Sequence, residues 1–168
     1  MVGRKLFVEG GGDSKELRTK CREGFRKFLE RSGVAGQMPR IVACGNRNAA
    51  YNDFVHAHKN GETAILLVDS EAPVTEVQQP WAHLQGRDGW ARPDRATDNQ
   101  CHLMVEAMEN WFLADRQALS DYFGQGFNVR TLPAVDRAEA TAKDAAHDHL
   151  RRATRDSKTK GAYDKGRH

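Results

Sequence analysis

Acidic residues follow two of the short apolar runs in this sequence, and their type and position suit a site for a divalent metal ion. Glu9 lies in residues 8–13 (VEGGGD), which close the first run, and Asp69 and Glu71 lie in residues 67–71 (LVDSE), which close the third. If both runs are neighbouring parallel strands, three or four carboxylates meet at one edge of a sheet. Mg²⁺ prefers carboxylate oxygens together with waters and substrate phosphates. The two motifs therefore predict a phosphoryl-transfer site.

Each of these acids also has a structural explanation. Glu9 and Asp13 could cap the first helix, because residues 13–16 have the D-x-x-E form of a capping box. Asp69 could open a turn. For Asp69 and Glu71 a ligand role is favoured, because ionised acids directly after a five-residue buried run are costly unless they are paired or bound to a metal.

A further pair of acids lies at the start of the fourth predicted helix. Glu106 and Glu109 are three residues apart and hence on one helical face. Glu109 could add a ligand to the same metal cluster. For Glu106 the alternative that it is a first-turn acid favoured by the helix dipole is equally good.

The pattern of apolar residues predicts an α/β fold that can bring these acids together. Short apolar runs alternate with helical patterns, which indicates βαβ units with right-handed crossovers and a Rossmann-like, mostly parallel sheet of about four strands flanked by helices. Residues 64–68 (AILLV) are apolar without alternation, as expected for a central strand. Ligands of such sheets bind outside the carboxyl ends of the strands, which is where Glu9 and Asp69 are expected.

We divide the sequence into an α/β domain over residues 1–135 and a C-terminal helix with a basic tail over residues 136–168. The helical pattern of the first domain's last helix spans residues 106–123, and that of the C-terminal helix begins at Ala138. Residues 72–100 contain prolines, glycines and two tryptophans and predict a long functional loop. No closing element precedes the last residue, and we expect a further helix beyond it.

Positive charge is concentrated at the C-terminal end of a chain whose formal net charge is +3. Nucleic acid is the partner that such a basic segment favours next to an acidic metal site, with Tyr163 available for base stacking. A solvated, disordered tail is the alternative. The predicted phosphate contacts are Lys15, Lys158, Lys160, Lys165 and Arg167.

Several other kinds of site are disfavoured. Cys21, Cys44 and Cys101 form no C-x-x-C pair and are expected to be core thiols in a reducing cytosol. The glycine run completes neither a dinucleotide fingerprint nor a Walker motif, although its amides could cradle a phosphate. No apolar stretch approaches the ~20 residues that span a bilayer. A cytoplasmic protein without a membrane partner is therefore expected.

These motifs resemble the Toprim domain of topoisomerases, primases and OLD-type nucleases, over roughly residues 5–105. Glu9 matches the glutamate after the first Toprim strand, Asp69 matches the first aspartate of its D-x-D motif, and Glu71 stands where the second aspartate falls. More narrowly, residues 102–115 (HLMVEAMENWFLAD) with residues 154–168 resemble a Toprim-related bacterial family of unknown function. Its members are commonly encoded beside ABC-type ATPases in anti-phage loci, and Glu109 matches its acidic residue.

The resemblance implies a Mg²⁺- or Mn²⁺-dependent nuclease that cuts DNA or RNA as the effector of a defence system with an ATPase partner. Glu9, Asp69 and Glu71 would be catalytic and hold the metal, with Glu109 in support. The alternative is a non-catalytic interaction or sensor subunit of an ATPase complex, with the loop around Trp81 and Trp90 as its contact surface. A phosphatase acting on small substrates is a third, weaker hypothesis.

Overall fold

Four short apolar runs form the parallel sheet that the sequence predicts. A computed structural model describes residues 3–76 and 79–165. The strands are β1 (Lys5–Val8), β2 (Arg40–Ala43), β3 (Ala64–Asp69) and β4 (Cys101–Met104). All are parallel, in the order β2-β1-β3-β4, and Val8 lies opposite Ala43 on one side and Leu67 on the other. The predicted α/β class, consistent with a Rossmann-like fold, is confirmed.

Helices follow each of these strands. They are α1 (Lys15–Leu29), α2 (Arg47–Lys59), α3 (Pro80–Asp88), α4 (Met108–Ala114), α5 (Arg116–Phe123) and α6 (Lys143–Thr154). The cap of α1 is Ser14, whose Oγ accepts from the amide of Leu17 at 3.1 Å, and not Asp13 as the D-x-x-E pattern predicts. In the part of the chain that the structure describes, no helix has the length and apolar character needed to cross a membrane.

Three predicted element boundaries are wrong, each for a local reason. The helix predicted over residues 106–123 is two helices, because Asp115 ends α4 and caps α5 by accepting from the Ala118 amide at 2.9 Å. The helix predicted from Ala138 begins only at Lys143. The loop predicted over residues 72–100 contains α3, whose first residue is a proline, a favourable position at a helix start.

Contacts divide the described residues into two compact units. The first unit is the chain up to Val68 together with Glu76–Leu103, and the second is Asp69–Thr75 together with the chain from Met104 onward.

The first unit has its own hydrophobic core. Phe54, Leu66 and Leu84 have no exposed surface, and Trp81 and Trp90 pack with them at 3% and 9% exposure. The two tryptophan side chains therefore belong to this core, and a contact surface formed by the loop around them stays a prediction. Such large apolar side chains stabilise this unit from within.

The second unit has a separate core that includes part of the predicted basic tail. Tyr163 is 5% exposed and packs with Leu113, Phe123 and Leu150. The backbone amide of Tyr163 donates to Thr154 Oγ1 at 2.6 Å. This part of the basic segment therefore folds back onto the unit after α6.

The glycine run after β1 forms a tight turn that fixes the start of α1. The amides of Gly10 and Gly45 donate to each other's carbonyls, both at 2.9 Å, so the Gly10 amide is already used. Gly11 has φ +85°, and a Cβ there would lie 2.7 Å from the Cα of Arg18. Only glycine adopts this positive φ without strain and leaves room for the backbone of Arg18.

Gly11→Ala is therefore expected to lower the free energy of unfolding by roughly 1–3 kcal/mol. The matched control is Gly24→Ala within α1. Apart from its chain neighbours and the backbone of its own helix, nothing lies within 4 Å of the new Cβ, and alanine is expected to stabilise by about 0.5–1 kcal/mol. Urea unfolding measures both variants. Equal stability of the two would contradict the role of this turn.

Candidate functional site

Glu9 is held at the end of β1 by an arginine that the sequence analysis did not identify. Its amide donates to the carbonyl of Leu67 at 3.1 Å, and its Oε2 lies 3.5 Å from Nε of Arg47. The guanidinium of Arg47 binds both carboxylate oxygens of Asp88, at 2.8 and 3.2 Å. It also lies 4.8 Å from the ring centroid of Trp90. Glu9 thus lies beside a fixed cation.

The position of Arg47 in the sequence was one indication that it could belong to the site. It is the first residue of α2, directly after the end of a predicted strand, and so lies at the functional edge of the sheet. Glu9 and Asp69 were predicted at that edge, but Arg47 was not. Because Arg47 divides its charge between Glu9 and Asp88, it orients the Glu9 carboxylate without fully neutralising both acids.

Asp69 ends β3 and is almost completely buried, with 3% of its surface exposed. Its Oδ1 accepts from the amide of Met108 at 2.8 Å, and its Oδ2 lies 3.6 Å from Nζ of Lys143. Burial raises the pKa of Asp69, while the Met108 amide and the Lys143 ammonium act in the opposite direction. The carboxylate is therefore held in place by the first turn of α4 and by a cation.

Glu71 approaches the same lysine from a constrained backbone. Its φ is +62°, a left-handed conformation that is uncommon outside glycine. The Glu71 amide donates to the carbonyl of Glu106 at 2.8 Å, which stabilises this conformation. The Glu71 carboxylate forms an ion pair with the Lys143 ammonium. Asp69 and Glu71 thus converge on one positive charge, as two ligands of a cation would.

Lys143 is the most important residue that the sequence analysis missed. It lies 72 residues from Glu71, and no spacing rule connects positions so far apart. Topology alone could not reveal the contact, because it depends on where the second unit places the start of α6.

Glu106 has a structural role. Its Oε2 accepts from the amide of Lys143 at 3.1 Å, so it satisfies a free amide at the start of α6. Glu106 therefore does act at the start of a helix, as one alternative predicted. That helix is α6, however, and not the helix that follows Glu106 in the chain.

Glu109 belongs to a buried polar cluster. It has no exposed surface, and its Oε1 accepts from the Tyr163 hydroxyl at 2.9 Å. Nε2 of His147 and Nζ of Lys165 lie 3.4 and 3.5 Å from the same oxygen. Burial alone would raise the pKa of Glu109, but Lys165, His147 and Tyr163 hold it below its ordinary value. Among the described residues, the Glu109 carboxylate contacts these three side chains. A role of Glu109 in supporting a metal ion stays a prediction.

The predicted nucleic-acid contacts are exposed where the structure describes them. Lys15 is the first residue of α1, in the first unit. Lys158 and Lys160 are exposed in the segment after α6. Lys165 is also exposed, but its ammonium faces Glu109. Arg167 lies outside the described residues.

Base stacking on Tyr163 is the part of this prediction that is wrong. The Tyr163 ring is buried. Burial is the main cause that raises the pKa of its hydroxyl, and the nearby Glu109 carboxylate raises it further. Tyr122 in α5 is 47% exposed, and the ammonium of Lys160 lies 4.7 Å from its ring centroid. This pair, and not Tyr163, combines an exposed aromatic face with a cation.

The cysteines are free thiols, as predicted. Cys44 and Cys101 are buried. Burial raises the pKa of Cys21 to about 11 and those of Cys44 and Cys101 to about 12. None is therefore a thiolate nucleophile near neutral pH.

Comparison with known proteins identifies a family but no activity. No curated protein and no solved structure matches the sequence. One family model matches residues 8–168, and its description is a domain of unknown function, DUF4276. That description names no Toprim relationship, so the relationship stays a proposal. The match covers nearly the whole sequence, and the chain therefore belongs to the DUF4276 family.

Proposed function

We propose that this protein is a divalent-metal-dependent nuclease in which Glu9, Asp69 and Glu71 hold the metal. β1 and β3 are neighbouring parallel strands with Val8 opposite Leu67, so Glu9 and Asp69 both follow carboxyl ends of the sheet. Asp69 and Glu71 offer carboxylate oxygens that could hold a metal ion, and the resemblance adds Glu9 as the third proposed ligand. The resemblance of the same residues to the Toprim motifs supports phosphodiester cleavage as the reaction.

The observation that carries this proposal is the convergence of Asp69 and Glu71 on the ammonium of Lys143. Two carboxylates that share one cation mark a position where positive charge is stabilised. The amide of Met108 fixes one oxygen of Asp69, so the other oxygen has a defined direction. A preorganised carboxylate of this kind suits Mg²⁺ or Mn²⁺, which require near-ideal geometry.

A bound divalent ion would polarise the phosphodiester and lower the pKa of an attacking water. The residues of this chain would orient it: Asp69 through its bond to Met108, Glu71 through its constrained backbone, and Glu9 through Arg47. No covalent intermediate with the protein is required. Whether DNA or RNA is cut depends on contacts beyond these carboxylates.

Contacts with the substrate are proposed for the exposed basic segment of the second unit. Lys158 and Lys160 offer charge to phosphates, and Tyr122 offers a face on which a base can stack. Lys15 is proposed as a phosphate contact of the first unit. An ABC-type ATPase partner and a role in anti-phage defence complete the proposal, supported only by the resemblance of residues 102–115.

One observation favours a second candidate, a non-catalytic interaction or sensor subunit. The carboxylates of Asp69 and Glu71 already have a cation in Lys143, and Asp69 also caps α4. Both contacts are compatible with acids that only stabilise the fold. The presence or absence of metal-dependent cleavage separates the two candidates.

Asp69→Asn combined with Glu71→Gln is expected to reduce Mg²⁺- or Mn²⁺-dependent cleavage of a DNA or RNA oligonucleotide by more than about 100-fold. Asp69→Asn keeps a side-chain oxygen for the Met108 amide, so the cap of α4 survives. Cleavage is followed on denaturing gels, and circular dichroism reports the fold.

The matched control for this experiment is Glu16→Gln, because Glu16 is an exposed acid paired only with Lys20 among the described residues. It should cleave like the wild type. Undiminished cleavage by the double variant would refute the proposed metal ligands. A wild type that neither cleaves nor gains thermal stability from Mn²⁺ would favour the non-catalytic subunit.

Lys158→Ala combined with Lys160→Ala is expected to weaken binding of a fluorescent oligonucleotide. The log–log slope of affinity against salt concentration should fall by about 1 for each phosphate that the variant no longer binds. Fluorescence anisotropy at several salt concentrations measures this. Lys27→Ala with Lys59→Ala removes two exposed lysines elsewhere and should leave the slope unchanged. Equal slopes for the two double variants would contradict the proposed interface.

A further inference from the structure

We infer that Lys143 is a built-in competitor of the metal, so that a divalent ion binds Asp69 and Glu71 only by displacing its ammonium. This inference rests on the proposed function, because it concerns the same carboxylates. It adds Lys143, which lies outside the acidic motifs, to the proposed site. It also couples the binding of the metal to the binding of a phosphate.

The geometry places Lys143 where an ion would compete with it. Its Nζ lies 3.6 Å from Oδ2 of Asp69 and forms an ion pair with Glu71. The other oxygen of Asp69 is bonded to the amide of Met108. The oxygen of Asp69 that faces Lys143 is therefore also the one best placed to bind a metal.

Burial makes this competition strong. The side chains of Asp69 and Glu71 are 4% and 19% exposed, and that of Lys143 is 24% exposed. Ion pairs with so little access to water are screened much less than surface pairs. A divalent ion and the ammonium repel each other in this environment, so both cannot occupy the same position.

The backbone of Lys143 can stay in place while its side chain moves. Its amide is bonded to Oε2 of Glu106, which fixes the start of α6 independently of the ammonium. The four-carbon stem is flexible, and an ammonium is a compact charge that can be redirected. Displacement therefore does not require α6 to unfold.

Two carboxylates and one ammonium leave one negative charge, whereas two carboxylates and a divalent ion leave none. The displaced ammonium then becomes an additional positive charge at the rim of the site. A phosphate of the substrate is the anion that this charge would attract. Metal binding would in this way prepare the site for a phosphodiester.

The test is a calorimetric titration of the full chain with Mn²⁺ alone, without substrate. Lys143→Met and Lys143→Gln remove the ammonium and keep a long side chain, and both are expected to bind Mn²⁺ about tenfold more tightly than the wild type. Lys143→Arg keeps the charge and should resemble the wild type. Lys27→Met is the matched control, because this exposed lysine of α1 lies outside the acidic motifs.

Thermal unfolding gives a second readout. Without metal, Lys143→Met should melt at a lower temperature than the wild type, because Asp69 and Glu71 no longer share a cation, and Mn²⁺ should restore more stability to this variant than to the wild type. Equal Mn²⁺ affinity in the wild type and in Lys143→Met overturns the inference but leaves the metal site intact. Absence of Mn²⁺ binding in every variant overturns both proposals.

Discussion

The buried carboxylate of Asp69 is the constraint on which the second unit's polar architecture depends. An ionised acid in this position is costly unless each oxygen has a donor or a cation. One oxygen takes the first amide of α4 and the other faces Lys143 at the start of α6. The end of β3 therefore determines where α4 begins, and it faces a side chain from the start of α6. The same requirement that stabilises the unit also orients the oxygen proposed to bind a metal.

Much of the sheet could be predicted, because its determinants are local. The uninterrupted apolar run of residues 64–68 identifies an inner strand, and the glycine run after β1 predicts a turn into a helix. These signals depend only on residues that are close together in the sequence. The acids at the strand ends were predictable for the same reason, since a parallel sheet brings its carboxyl ends to one edge.

The partners of those acids could not be predicted, because they depend on tertiary contacts between distant positions. Nothing near Lys143 indicates that it faces Glu71. Nothing near Tyr163 indicates a buried hydrogen bond, since its neighbours are basic and polar. The segment over residues 72–100 was misinterpreted because its prolines and glycines indicated a loop. Pro80 is instead the first residue of α3, a position where proline is favourable.

The bond between Tyr163 and Glu109 has a consequence for the evolution of the family. A carboxylate without exposed surface depends on its donors, and the phenol supplies the shortest of the contacts described. Replacing the phenol alone would leave a buried charge poorly solvated, and replacing the acid alone would leave a buried hydroxyl without its acceptor. Positions 109 and 163 are therefore expected to change together among homologues, as a polar pair or as an apolar one.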